Sequence, residues 1–409
     1  MTYINKKGVV CLNWIKSDET YISKEKFNQV LRETYDNKNL KKIAQRDIAK
    51  VMYFVGTYQI ISTTSYIEVR VFDKTPVKYK LSLTGMNNET KLAGYHGYQY
   101  INNEFQEKFG KSITTAFSGY KFREIYTAIK KCVITQVDYC EKVFKGKIID
   151  HCFKSDMSSA YPWQLTKSLP TLHDHKLING FIEPNEEYPF AFYLNSHHVK
   201  IYNELYTKDF GKSRYYTPYH DPETKWKPND SVKPEDEITV LCKKSGYDMS
   251  DIFTEIYNMR KEKPELKLYM NACIGYFHRN NNPVLSPIAA VVLARCAHEM
   301  LERCKILEKE GNTVVLINTD SIIWKGKQSS ISEYKKYFGS FTAEYEDTRV
   351  ALLSVKAYQV EGPNGTVLTR HSGLDKSISR NLKFGEIFDF KNEAPTVLFF
   401  DEDGFVESI

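Results

Sequence analysis

The stretch Asp156-Met-Ser-Ser-Ala-Tyr-Pro162 sets the tightest constraint on how this chain can fold. A largely apolar run, Ile148 to Phe153, leads into it and reads as a buried strand, so Asp156 arrives at that strand's end. The Ser-Ser-Ala-Tyr-Pro that follows reads as a turn opening a helix. A carboxylate is thereby set at the mouth of a cleft, beside exposed backbone carbonyls and an aromatic ring. Such an acid needs a partner. The best candidate is Asp320 in Leu316-Ile-Asn-Thr-Asp-Ser-Ile-Ile323, where the apolar runs Thr313 to Ile317 and Ile322 to Trp324 flank a polar tip as in a β-hairpin. Two acids brought together from distant strand ends suit a pair of divalent cations, the arrangement used in phosphoryl transfer.

With 409 residues the chain can bury a sizeable core and divide into two or three domains or subdomains. Aromatic residues reach 14%, which fits base stacking or ribose packing, although AT-rich codon usage takes the larger share. A net charge of +6 permits a phosphate backbone as partner without demanding one. The eight cysteines show no zinc spacing, and the pair His151-Cys152 reads as strand residues, so reduced thiols are expected. The longest apolar run, Ile288 to Ala294, is too short to span a bilayer, and no signal peptide opens the chain. The expectation is a soluble, cytoplasmic protein, without a membrane partner.

Residues up to about 146 read as an N-terminal α+β unit, with a helix from Ser23 to Tyr35 and a hairpin from segments 66–72 and 77–83. Aromatic and basic residues interleave from Tyr95 to Lys131, including Tyr120, Lys121, Phe122 and Arg123; an amphipathic helix explains this more simply than a nucleic-acid surface. Residues 163 to 250 are rich in Pro and aromatic side chains, predicting short strands and long loops. Helical signals return from Met249, and Pro264 starts a second helix on which Lys267 and Asn271 share a face. Ser286 and Pro287 read as the cap and first turn of a long helix ended by Gly311.

Taken singly these motifs are weak; their order is specific. A strand-end Asp with Tyr-Pro, a helix with Lys-x-x-x-Asn-x-x-x-Gly and a hairpin Thr-Asp-Ser resemble the A, B and C motifs of family B DNA polymerases, above all the small protein-primed group of phages and linear plasmids. Lys356-Ala-Tyr358 looks like that group's Lys-x-Tyr motif, and Ser372 to Lys376 is similar to the segment near its thumb. The resemblance runs from about residue 147 to the C-terminus.

It implies an α+β right hand: an antiparallel-sheet palm (147–250 and 283–358), short fingers (251–282), a small thumb (359–409) and an N-terminal domain (1–146). It also implies a template-directed DNA polymerase acting on primer-template DNA and dNTPs, with a terminal or priming protein as a possible partner. Asp156 and Asp320, with the Met157 carbonyl, would bind two Mg²⁺ ions, for which Mn²⁺ substitutes. Lys267, with Arg260 and Lys261, would neutralise the triphosphate. Tyr161 would pack under the deoxyribose, Asn271 would line the nascent pair, Gly275 would allow close approach, and Lys356 with Tyr358 would grip the primer terminus.

Three departures stand out. Asn318 occupies the first acid position of Asp-Thr-Asp, and Ile274 replaces the Tyr of Asn-Ser-x-Tyr-Gly. The N-terminal region carries adjacent Asp18-Glu19 instead of an Asp-x-Glu exonuclease pair, so proofreading is expected to be absent.

Overall fold

A computed structural model describes residues 86–118, 123–216, 226–277, 285–371 and 382–390, and strands only elsewhere. The helix read at Ser23 to Tyr35, the pair Asp18-Glu19, the run Tyr120-Lys121-Phe122 and the segment Ser372 to Lys376 lie outside the described residues. The chain forms two compact units, Met1–Leu92 with Ser372–Ile378 and Asp389–Ile409, and Ala93–His371 with Ser379–Phe388.

In the first unit, Thr2–Ile4 (β1) pairs with Val10–Leu12 (β2). Leu40–Ala44 (β3), Lys50–Val55 (β4), Tyr58–Thr63 (β5), Tyr66–Val71 (β6) and Val77–Lys80 (β7) form an antiparallel meander in chain order. The hairpin read from the alternation around residues 66–83 is β6 and β7, in the register Ile67↔Tyr79.

The second unit is built on a seven-stranded antiparallel sheet. Its strands are Asp138–Cys140 (β8), Lys147–Met157 (β9), Thr313–Asn318 (β15), Ser321–Lys325 (β16), Phe341–Ser354 (β17), Ala357–Glu361 (β18) and Val367–His371 (β19), in the order β19-β18-β17-β9-β16-β15-β8. Strand β9 is central because it is apolar enough to lie between two neighbours. Side chains alternate along β16: Ile322 and Trp324 enter one core cluster and Ile323 the other.

The helix Met86–Phe109 (α1) contributes its residues from Ala93 onward to this unit, followed by Ile113–Phe117 (α2), Arg123–Lys130 (α3), Ala160–Leu165 (α4), Ser250–Met259 (α5), Glu265–Phe277 (α6) and Ser286–Lys309 (α7). Helix α7 lays Ala290, Ala294, Ala297 and Leu301 into the cluster that holds Trp324 and Phe341. Its start differs from expectation. Leu285 occupies the cap position, Ser286 is already helical, and the Ser286 hydroxyl is buried without a partner among the described residues. Gly311, at φ +80, ends it as read.

Residues 93–146, assigned above to an N-terminal domain, pack in this unit, because Tyr126, Ile129 and Val133 share the core with α7. Between α4 and α5, Pro170–Asn179 (β10), Phe190–Tyr193 (β11), His198–Ile201 (β12), Leu205–Tyr206 (β13) and Ile238–Lys244 (β14) form a second sheet, the short-strand region foreseen for residues 163 to 250. Val397–Asp401 (β20) and Gly404–Ser408 (β21) close a hairpin in the first unit. No helix among the described residues is long and apolar enough to cross a membrane.

Candidate active site

The two acids read from the sequence meet. Asp156 is the penultimate residue of β9 and stands directly across from Ser321, the residue after Asp320. The Met157 N–H donates to the Asp320 carbonyl at 2.8 Å, tying the end of β9 to the β15–β16 turn. Burial and then the facing Asp156 carboxylate push Asp320 up to about 7. Asp156 is raised too, chiefly by burial. Lys154, Lys336 and Lys267 pull it back, and Glu344 pushes it further up.

Both acid-bearing turns depart from the usual backbone regions. Thr319, just before Asp320, has φ 62°, and Ser159 has φ 57°. Each of these non-glycine residues holds a sparsely populated backbone conformation beside one of the two acids. The Thr319 N–H donates to the Val137 carbonyl at 3.0 Å and its hydroxyl to Gln136 Oε1 at 2.9 Å, fixing the hairpin tip against the segment entering β8.

The turn after Asp156 is clamped from two sides. Arg260, at the end of α5, donates from Nη1 to the Ser159 hydroxyl at 2.7 Å and lies 3.6 Å from the centroid of the Tyr257 ring. Ser158 donates its N–H to the Ser340 carbonyl and accepts from the Gly339 N–H, so the segment before β17 lies over the same turn. Tyr161, on α4, is half-buried, packs between two core clusters and meets Gln136 with its hydroxyl; burial, then Cys296 and Asp320, raise it well above an ordinary tyrosine.

On α6, Lys267, Asn271 and Gly275 form one exposed stripe, and Lys267 is near enough to Asp156 to oppose its rise. A Cβ placed on Gly275 would meet nothing within 4 Å, so the protein itself does not require glycine there. Lys261 is exposed. Lys356, between β17 and β18, donates to Asp138 at 2.8 Å and to Asn318 Oδ1 at 3.2 Å. Tyr358 lies in the core. It is only 2% exposed and packs with Val315, Leu316 and Val360, because its place on β18 turns the ring into the sheet core.

Three residues of this site carry no sequence signal, Gln136 and Asp138 at the hairpin tip and Lys336 before β17, and a fourth, Lys154, went unread. The Lys154 ammonium is buried and paired with Glu344. Burial works against its charge, and Glu344, Tyr358 and Asp156 together outweigh it, leaving Lys154 above its ordinary value. Alternation alone could have flagged Lys154, which precedes Asp156 by two positions on one face of β9.

The donor set fits a hard divalent cation. Two half-buried carboxylates, both raised by burial and Asp320 further by the charge of Asp156, are an excess of negative field that an oxygen-binding cation would relieve. Among the described residues no group of three or more His, Cys, Asp or Glu could hold a metal by itself.

Solved structures that align with this chain include a DNA polymerase. Phi29 DNA polymerase complexed with primer-template DNA aligns over 73% of this chain and 65% of its own, at TM-score 0.52 and 14% identity. The same polymerase with primer-template DNA and incoming nucleotide substrates aligns over 72% of this chain and 62% of its own, at TM-score 0.53 and 16% identity. Its orthorhombic crystal form gives TM-score 0.54 at 13% identity, over 73% of this chain and 65% of its own. The chain thus spans under two thirds of the length of these structures. No family model matches the sequence, and no curated protein matches it. The fold is polymerase-like and α+β, with the facing acids on its central sheet.

Proposed function

We propose that this chain is a template-directed DNA polymerase that adds dNTPs to a primer 3′-hydroxyl, without proofreading, in the replication of a phage or similar mobile element. The observation that carries this reading is the meeting of Asp156 and Asp320 at directly paired strand ends, in a fold like that of a DNA polymerase. Two half-buried like charges oppose folding, and a chain that keeps them has a use for both ionised together.

Asp156 and Asp320, with the Met157 carbonyl as a further oxygen, would hold two Mg²⁺ or Mn²⁺ ions, which when bound activate the attacking hydroxyl and neutralise the departing pyrophosphate. Lys267, Arg260 and Lys261 receive the triphosphate from the helical side. Arg260 does so while anchored on Ser159, so it approaches from a fixed direction. Tyr161 packs beneath the deoxyribose, where a 2′-hydroxyl would find no room. Asn271 and Gly275 offer an exposed strip to the nascent pair, and Lys356 holds the primer end.

Extension of a labelled primer on a defined DNA template, with Mg²⁺ or Mn²⁺, tests the assignment. Wild type extends; Asp156→Asn and Asp320→Asn fold and do not. Full extension by Asp320→Asn would remove the metal role. A second reading is a retired polymerase fold serving as a DNA-binding replication factor. Asn318 favours it, since a site released from catalysis can lose an acid; DNA binding by a wild type that never extends would establish it. Primer-free incorporation with and without an added priming protein separates an initiating enzyme from a strictly primer-dependent one.

A further inference from the structure

The Lys356 ammonium reaches the tip of the acid-bearing hairpin and finds a neutral side chain there. Asn318 offers only its amide oxygen, at 3.2 Å. The charge that holds Lys356 comes from the neighbouring strand instead. Asp138 is the cross-strand partner of Asn318, and both its carboxylate oxygens lie against Lys356 Nζ, Oδ1 at 3.0 Å and Oδ2 at 2.8 Å. The pair is partly shielded, Asp138 being 24% exposed and Lys356 38%.

Strand β8 lies at the sheet edge and pairs with β15 alone. It is three residues long, and the segment before it is pinned to the hairpin by Thr319, through Val137 and Gln136. Gln136 also meets the Tyr161 hydroxyl. One short edge segment therefore touches the hairpin tip, the tyrosine of α4 and the lysine after β17.

We propose that Asp138 is the positioning residue for Lys356, supplying across one rung of the sheet the carboxylate that position 318 lacks. A charge-assisted pair with both oxygens engaged fixes the ammonium where a single amide oxygen would leave it free to swing. Lys356 is then held at the tip of the hairpin that carries Asp320, where its charge meets an anionic ligand. This rests on the polymerase reading for the ligand, a primer phosphate, though not for the pairing itself.

The test moves the acid across the rung. Asp138→Asn should raise the KM for primer-template about tenfold, the loss of a hydrogen bond between charged groups, and leave the KM for dNTP unchanged. The double variant Asp138→Asn/Asn318→Asp, with the carboxylate on the other side of the same cross-strand pair, should recover most of that loss. In a Lys356→Met background, Asp138→Asn should cost nothing more. Failure of the exchanged pair to recover, or an equal loss from Asp138→Asn with and without Lys356, would overturn the proposal and leave Asp138 a merely structural residue. A readout independent of turnover is the labelling of Lys356 by an amine-reactive reagent, followed by peptide mass spectrometry. Labelling should be faster in Asp138→Asn than in wild type or in the exchanged pair. Equal rates in all three would overturn the proposal even in an active enzyme. If wild type extends no primer, the polymerase reading falls while the labelling still decides this one.

Discussion

Asp320 couples the chemistry of the site to its stability. Its folded carboxyl titrates at about 7, against roughly 4 for an exposed aspartate, so the folded state holds that proton more tightly than the unfolded chain does. The contribution is full below about pH 4 and is lost as pH rises through about 7. In metal-free buffer, wild type should lose several degrees of Tm between pH 5 and 8, and Asp320→Asn should lose less and be the more stable protein at pH 8. Added Mg²⁺ should raise the wild-type Tm at pH 8 far more than at pH 5, because both carboxylates must be ionised to receive it. Parallel Tm profiles for wild type and variant would contradict this. The two acids were legible because each ends an apolar run at a polar turn, a local pattern. Gln136, Asp138 and Lys336 were not, since their roles arise from chain crossings with no periodic trace. Lys154 and Glu344 are 190 positions apart.

At the scale of elements, helix α6 depends on a backbone contact. A Cβ on Gly97 of α1 would lie 2.5 Å from the Tyr269 carbonyl oxygen of α6, so only glycine lets the two helices close to this distance. The stacking of Tyr98 on Tyr276, with ring centroids 4.5 Å apart, follows from that closeness. Gly97→Ala should cost about 1–3 kcal/mol in urea unfolding, the usual scale for forcing atoms into a packed contact. It should also raise the KM for dNTP, since α6 carries Lys267; an unchanged urea midpoint would show that the contact relaxes freely. The helices α5 and α6 and the β15–β16 hairpin followed from spacing and turn residues. Strand β17 did not, because its register shifts three times between Ala343 and Val350 and the bulges erase the alternation that marks a strand. Ser286 looked like a cap, yet Leu285 takes that place and the hydroxyl is buried.

At the scale of the molecule, the second unit presents its acids on a broad sheet and faces them with two helices, α5 and α6, of ten and thirteen residues. Under the polymerase reading proposed above, helices of that size offer little surface to retain a template. The protein should therefore release its template after few additions, read as short products when a heparin or DNA trap follows initiation; long products from one binding event would contradict this. The tie between the Met157 N–H and the Asp320 carbonyl has a consequence for where adaptation can occur. Because the two carboxylates ride on strands zipped to one another, they cannot part unless the sheet itself unzips, and opening or closing cannot be the step that assembles them. Any gating of the reaction must belong to the helices that bring Lys267 and Arg260, moving over an immobile floor.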